Sequence, residues 1–130
     1  LWLGQSGLRV IGIEELPQAV LDARASAKKN SIDSCSFIAG KVEDHIRKFK
    51  GQDIEIIILD PPRKGCSEKV ITAVSEIMPK KVIYVSCNPS TLARDLARLE
   101  NYTIEDIIVI DLFPQTKHVE TAVLLTSKKS

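Results

Sequence analysis

Two consecutive prolines, Pro61 and Pro62, stand directly behind the run Asp53-Ile54-Glu55-Ile56-Ile57-Ile58-Leu59 and its terminal acid Asp60. That run is the most hydrophobic in the chain, and its near-continuous apolar character predicts a central strand covered on both faces, as in a parallel sheet. Proline cannot donate to a ladder, does not continue a helix, and holds the residue before it extended. The segment Asp60-Pro61-Pro62-Arg63-Lys64-Gly65 is therefore expected to be a stiff loop at the carboxyl end of that strand. Its position holds Asp60 and Arg63 near a cleft, because ligands of open α/β sheets gather at carboxyl strand ends.

The rest of the chain fits around such a strand. Arg9-Val10-Ile11-Gly12-Ile13-Glu14 reads as a short buried strand ending in an acid, and Pro17 then opens a helix through Ala19, Val20, Ala23 and Ala27 to about Asn30. An acid there can accept hydrogen bonds from the hydroxyls of a nucleoside ribose. Equally, Glu14 or Glu15 can simply begin the helix, where carboxylates are favoured, and the residues leave the two readings open. Cys35-Ser36-Phe37-Ile38-Ala39 is a second short strand, followed by a helix carrying Val42, Ile46 and Phe49 inward, with Lys41, Arg47, Lys48 and Lys50 on its solvated face. Ser67 caps a helix through Val70, Ile71, Val74 and Ile77 that Pro79 stops, and Cys66 beside the cap reads as incidental.

The next strand, Val82-Ile83-Tyr84-Val85-Ser86, stops at Cys87. Asn88, Pro89, Ser90 and Thr91 supply turn and cap chemistry before Leu92 to Arg98 resume at helical spacing. Cys87 is thus a cysteine at a strand-to-helix junction. Reacting groups collect there, and a helix amino terminus favours a thiolate; an inert cysteine closing a core strand is the alternative. Residues 102–111 form a long strand, 113–118 a loop and 119–126 the last strand. So short a connection makes these two strands antiparallel, since a parallel crossover needs a dozen or more residues.

Strand and helix in alternation, closed by a strand hairpin, predict an α/β fold with an open, mostly parallel sheet and an antiparallel carboxyl-terminal hairpin. A length of 130 residues fits a single domain. A nucleotide-binding unit normally begins with a strand and a glycine-rich turn, of which Gly4-Gln5-Ser6-Gly7 is at best the worn end. The expectation is a partial domain, starting in mid-fold and lacking that first strand. Its neighbours would then close the gap, pair with another chain or stay partly exposed.

Composition excludes several classes. With 44% hydrophobic and 27% charged residues the chain is ordinary globular material, and no apolar run approaches the roughly 18 residues of a membrane span. Leu1-Trp2-Leu3-Gly4 lacks the basic flank of a signal peptide. The three cysteines are widely spaced with no CxxC pair, which argues against a disulfide framework or a zinc site and for a reducing cytoplasm. A net charge of +1 leaves a nucleic-acid partner open, and nothing in the residues gives an oligomeric state.

Asp60-Pro61-Pro62-Arg63-Lys64-Gly65, Ser86-Cys87-Asn88-Pro89-Ser90-Thr91-Leu92-Ala93-Arg94-Asp95, Asp111-Leu112-Phe113-Pro114 and His118-Val119-Glu120, with Val10-Ile11-Gly12-Ile13-Glu14 upstream, cover essentially the whole chain. Together they resemble the catalytic domain of the S-adenosylmethionine-dependent RNA 5-methyluridine methyltransferases, which methylate uracil C5 in transfer and ribosomal RNA. The resemblance implies a Rossmann-like methyltransferase fold, S-adenosylmethionine as cofactor, and a uridine of tRNA or rRNA as substrate. It also implies Cys87 as nucleophile, Glu120 as general base, Glu14 on the cofactor ribose and Asp60 lining the pocket for cofactor and base. Arg63, Lys64, Lys117 and His118 become candidate RNA contacts. The family's glycine-rich cofactor loop, its amino-terminal RNA-binding portion and the iron–sulfur cysteines of some members are absent, so the isolated piece is expected to be weakly active or inactive.

Two related chemistries fit less well. Amino-group methyltransferases use Asp-Pro-Pro-Tyr, where this chain has Arg63; cytosine C5 methyltransferases carry the nucleophile in a Pro-Cys loop, which is absent here. A non-catalytic RNA-binding or structural remnant of the fold, with Cys87 merely buried, is the other alternative.

Overall fold

The computed structural model describes residues 1–111 and 119–128. The chain divides into two compact units, Leu1–His45 and Ile46–Ser130.

In the first unit a single helical turn, α1 (Trp2–Gln5), precedes β1 (Val10–Glu14), α2 (Pro17–Lys29), β2 (Cys35–Ala39) and the short α3 (Val42–His45). β1 and β2 pair in parallel, from Val10 opposite Cys35 to Glu14 opposite Ala39. The connecting helix α2 begins with Pro17 at a position where a missing N–H costs nothing, and ends with Lys28 and Lys29 against its negative terminus. It buries Val20 and Ala27, two turns apart on one face.

The second unit begins with a 3-10 turn (Ile46–Phe49) and continues with β3 (Ile56–Leu59), α4 (Glu68–Ile77), β4 (Lys81–Ser86), α5 (Pro89–Arg98), β5 (Tyr102–Ile110) and β6 (Glu120–Ser127). The sheet order is β3-β4-β6-β5. β3 runs parallel to β4, whereas β6 is antiparallel to both β4 and β5. The last strand is thus inserted between its two predecessors, and β4 takes a central position. Val82, Tyr84 and Ser86 are the buried alternate set of β4, and Val123 and Leu125 continue the core on β6. α4 lays Val70, Ile71, Val74 and Ile77 inward; the Ser67 hydroxyl caps it by accepting from Val70 N at 3.4 Å, and Met78 ends it in a left-handed conformation.

Most expected elements stand within two residues of their places, with four differences. β3 has β4 as its one ladder partner among the described residues, and Ile56 and Ile58 are 46% and 50% exposed. Among the described residues it is therefore an edge strand and not the central one expected, and the face carrying Ile56 and Ile58 is left partly uncovered. The single helix expected over residues 42–49 is a four-residue helix followed by a 3-10 turn, with i→i+3 bonds from Asp44 N to Lys41 O and from Lys50 N to Arg47 O, both 3.1 Å. Gly4 lies in α1 rather than in a glycine-rich turn. It is buried, and a Cβ on it would overlap Cys35 Sγ and come within 2.8 Å of Ile32 Cγ2, so close packing explains the glycine. Finally, the two parallel pairs lie in separate sheets of two and four strands. No helix among the described residues is long and apolar enough to cross a membrane.

Candidate active site

The turn after β4 is pinned by its own side chains. Ser86 Oγ donates to Asn88 O and accepts from Asn88 N, both at 3.0 Å. Asn88 caps α5, its Oδ1 accepting from Ser90 N at 3.1 Å, and Pro89 takes the first helical position. Cys87 sits between these two locks with a free, half-exposed thiol.

Glu120 is the first residue of β6. The β4–β6 ladder ends with Ser86 opposite Thr121; Cys87 follows directly on β4 and Glu120 directly precedes Thr121 on β6, so both stand at the same end of the sheet. Strand order thus brings a thiol and a half-buried carboxylate together although 32 residues separate them.

Asp60 follows Leu59, which pairs with Tyr84, so the acid emerges exposed at the same sheet end as Cys87. The loop behind it is fastened to α5. Asn88 Nδ2 and Thr91 Oγ1 both donate to Arg63 O at 3.0 Å, and Arg94 Nη2 donates to Lys64 O at 2.9 Å and to Cys66 O at 3.4 Å. Under these contacts lies Asp95, fully buried. It accepts from Tyr84 Oη at 2.5 Å, from Cys66 N at 2.8 Å and from Arg94 Nε at 2.9 Å. Burial and, second, the bond to Asp95 push the Tyr84 phenol well above its ordinary pKa, so it is a donor across the working pH range. Gly65 has a φ of +78°, and a Cβ there would lie 2.5 Å from both Arg94 Nη2 and Asp95 Oδ2.

Arg63 and Lys64 are exposed on this loop. Lys117 and His118 fall outside the described residues. Glu14 lies in the first unit, exposed at the carboxyl end of β1; its Oε1 accepts from Leu16 N at 2.9 Å, which fixes the carboxylate and leaves Oε2 available to a ligand hydroxyl. The structure therefore brings Cys87, Glu120, Asp60 and Arg63 to one end of one sheet.

Sequence reasoning missed Asp95, Arg94 and the backbone role of Cys66. A signal was present: Asp95 stands three residues after Leu92 and four before Leu99, both buried, so it is a charge on the inward stripe of α5.

Strand-helix units followed by an antiparallel pair, with the last strand inserted between its predecessors and reactive groups at the carboxyl strand ends, define a Rossmann-like methyltransferase. Residues 9–128 match the tRNA (uracil-5-)-methyltransferase family, and the chain belongs to that family. It is 43% identical over 129 residues to an RNA methyltransferase of Clostridium acetobutylicum, covering 96% of this chain and 28% of the relative. It is 42% identical over 132 residues to one from Staphylococcus epidermidis, covering 99% of this chain and 29% of that one. Among solved structures, the Pyrococcus abyssi tRNA (uracil-54, C5)-methyltransferase in complex with S-adenosyl-L-homocysteine is similar, with a TM-score of 0.84 and 32% identity over 96% of this chain and 30% of the other. The chain thus spans less than a third of the length of these relatives.

Proposed function

We propose that residues 1–130 form one catalytic domain that methylates C5 of a uridine in tRNA or rRNA through a covalent Cys87–C6 adduct. The observation that supports this reading is the β4–β6 pairing, whose last pair, Ser86 and Thr121, is flanked in sequence by Cys87 and Glu120 at the carboxyl end of β4. The family match running across both units supports treating them as one domain. The working compartment is the reducing cytoplasm, which keeps the thiol of Cys87 available.

Uracil C5 is a poor nucleophile, and the protein's task is to change that. The Cys87 thiolate adds to C6, and the electrons of the C5–C6 double bond move onto C5 and O4. S-adenosylmethionine, when bound, supplies the methyl group as an electrophilic sulfonium carbon. Glu120 then takes the C5 proton; the C–H electrons rebuild the 5,6 double bond and expel the Cys87 thiolate, which returns the enzyme to its starting state. Glu14 fits the ribose end of the cofactor, since a carboxylate anchored by Leu16 N still has an oxygen to accept from a hydroxyl. Asp60 lines the pocket for cofactor and base.

Because C6 is shielded in a stacked helix, the target uridine must be unstacked or flipped out. Arg63 and Lys64, both exposed, are the candidate contacts to the neighbouring phosphates, together with Lys117 and His118. The test supplies labelled S-adenosylmethionine and unmodified tRNA or rRNA transcripts to the intact protein and analyses the nucleosides. Appearance of 5-methyluridine, lost in Cys87→Ala, is the expected result, and the better transcript identifies the substrate class. RNA binding without methyl transfer would favour the non-catalytic reading.

A further inference from the structure

We propose that Asp95 is a positioning residue for the Cys87 thiol, locking the 60–66 loop, β4 and α5 into one body; the inference rests on the reading of Cys87 as nucleophile. Three chain segments meet at this one carboxylate. Tyr84, three residues before Cys87, donates to it from β4; Cys66 N donates from the end of the loop that begins at Asp60; Arg94 donates from the adjacent position of α5. Arg94 extends the lock by donating to Lys64 O and Cys66 O, and Asn88 and Thr91 complete it on Arg63 O.

The chemistry of burial argues for geometry as the role. Asp95 has no exposed surface, and a buried carboxylate is costly even when paired; replacing a whole buried polar cluster of this kind by apolar side chains of similar volume is often neutral or stabilising. What an apolar residue cannot do is fix the angle and distance between three segments by directional bonds. Cys87 lies between the strand and the helix that Asp95 ties together, and Asp60 opens the loop that it ties to both. A shift here changes the approach of sulfur to C6, and misplacement by about 1 Å costs on the order of 100-fold in rate.

The test uses the intact protein and a tRNA transcript containing 5-fluorouridine, and follows the covalent adduct at saturating RNA and S-adenosylmethionine, normalised to folded protein. Asp95→Asn keeps the shape but offers donors where donors already point. It is expected to slow adduct formation at least about tenfold with the half-saturating RNA concentration unchanged. Tyr84→Phe, which removes one of the bonds at constant ring volume, should give a smaller slowing in the same direction. Val74→Ala, a buried site on α4 outside this network, should lower the melting temperature and leave the rate per folded molecule at wild type. An Asp95→Asn rate equal to wild type, or a Val74→Ala rate equally slowed, overturns the proposal. If Asp95→Asn does not fold, Tyr84→Phe decides: a slowed rate supports the positioning role and a wild-type rate overturns it. If the wild type forms no adduct, or Cys87→Ala forms as much, the Cys87 reading itself falls and the positioning role with it.

Discussion

Ser86 of β4 faces Thr121 of β6 as the last pair of their ladder, and Cys87 and Glu120 are the residues next to that pair in sequence, at the same end of the sheet. In the proposed mechanism these two distant sequence positions serve as nucleophile and base on one substrate, with divided duties. Addition to C6 needs the thiol alone, whereas release needs the carboxylate. Glu120→Gln should therefore still attack and methylate, then stall. Turnover is expected to fall by about 100-fold or more, with a methylated protein–RNA species accumulating in gel-shift and mass measurements. Turnover at the wild-type level would remove Glu120 from the role of base.

Gly65 and Gly51 share a left-handed backbone, with φ of +78° and +80°, but not their surroundings. A Cβ at Gly51 meets nothing within 4 Å, so Gly51→Ala should cost only the conformational term, about 1 kcal/mol. At Gly65 the same methyl meets Arg94 and Asp95, and Gly65→Ala should add a further cost of roughly 1–3 kcal/mol for displaced buried polar groups. Urea unfolding of the two variants measures the difference; equal costs would mean that the loop is not held against α5 as described.

Asn88 has two jobs, since its oxygen caps α5 and its amide nitrogen holds Arg63 O. Asn88→Ala should lose about 1–2 kcal/mol of stability, while Asn88→Asp keeps an acceptor for the cap and loses only the tether. The aspartate variant should unfold close to wild type yet react more slowly with 5-fluorouridine RNA. An aspartate variant with wild-type reactivity would confine Asn88 to capping.

Tyr102 is buried, donates to Pro79 O at 3.0 Å, and has its pKa pushed up from 10.0 to about 12 by burial. The unfolded chain loses this proton first. Stability should hold steady below about pH 9 and fall as pH rises from about 10 to 12, by up to about 1.4 kcal/mol per pH unit from this phenol. Tyr84, shifted the same way, adds to the slope. Tyr102→Phe should flatten the alkaline limb in thermal melts taken across that range; an unchanged limb would contradict the burial argument.

Local signals were legible in the sequence, and sheet-level ones were not. Pro61 and Pro62 fix an extended loop, Ser67 a helix start and Cys87 a strand end, because each acts on its immediate backbone. The insertion of β6 between β4 and β5 depends on pairings between distant residues, and periodicity carries no information about them. The edge position of β3 escaped for the same reason: an apolar run shows the wish for two covered faces, not the neighbours that cover them. Asp95 was hidden by its type, since an acid on a helix reads as solvated unless its place on the stripe between Leu92 and Leu99 is counted. Residues 112–118, with Lys117 and His118, lie outside the described residues.

The most direct test of the Cys87–Glu120 account is the site of the covalent bond formed with RNA containing 5-fluorouridine. Tryptic cleavage separates the three cysteines, with Cys87 alone on peptide 82–94. With fluorine at C5 there is no proton for Glu120 to take, so the account predicts an adduct that requires S-adenosylmethionine, maps to peptide 82–94 and disappears in Cys87→Ala. No adduct from the intact protein, or one carried by another peptide, would contradict it.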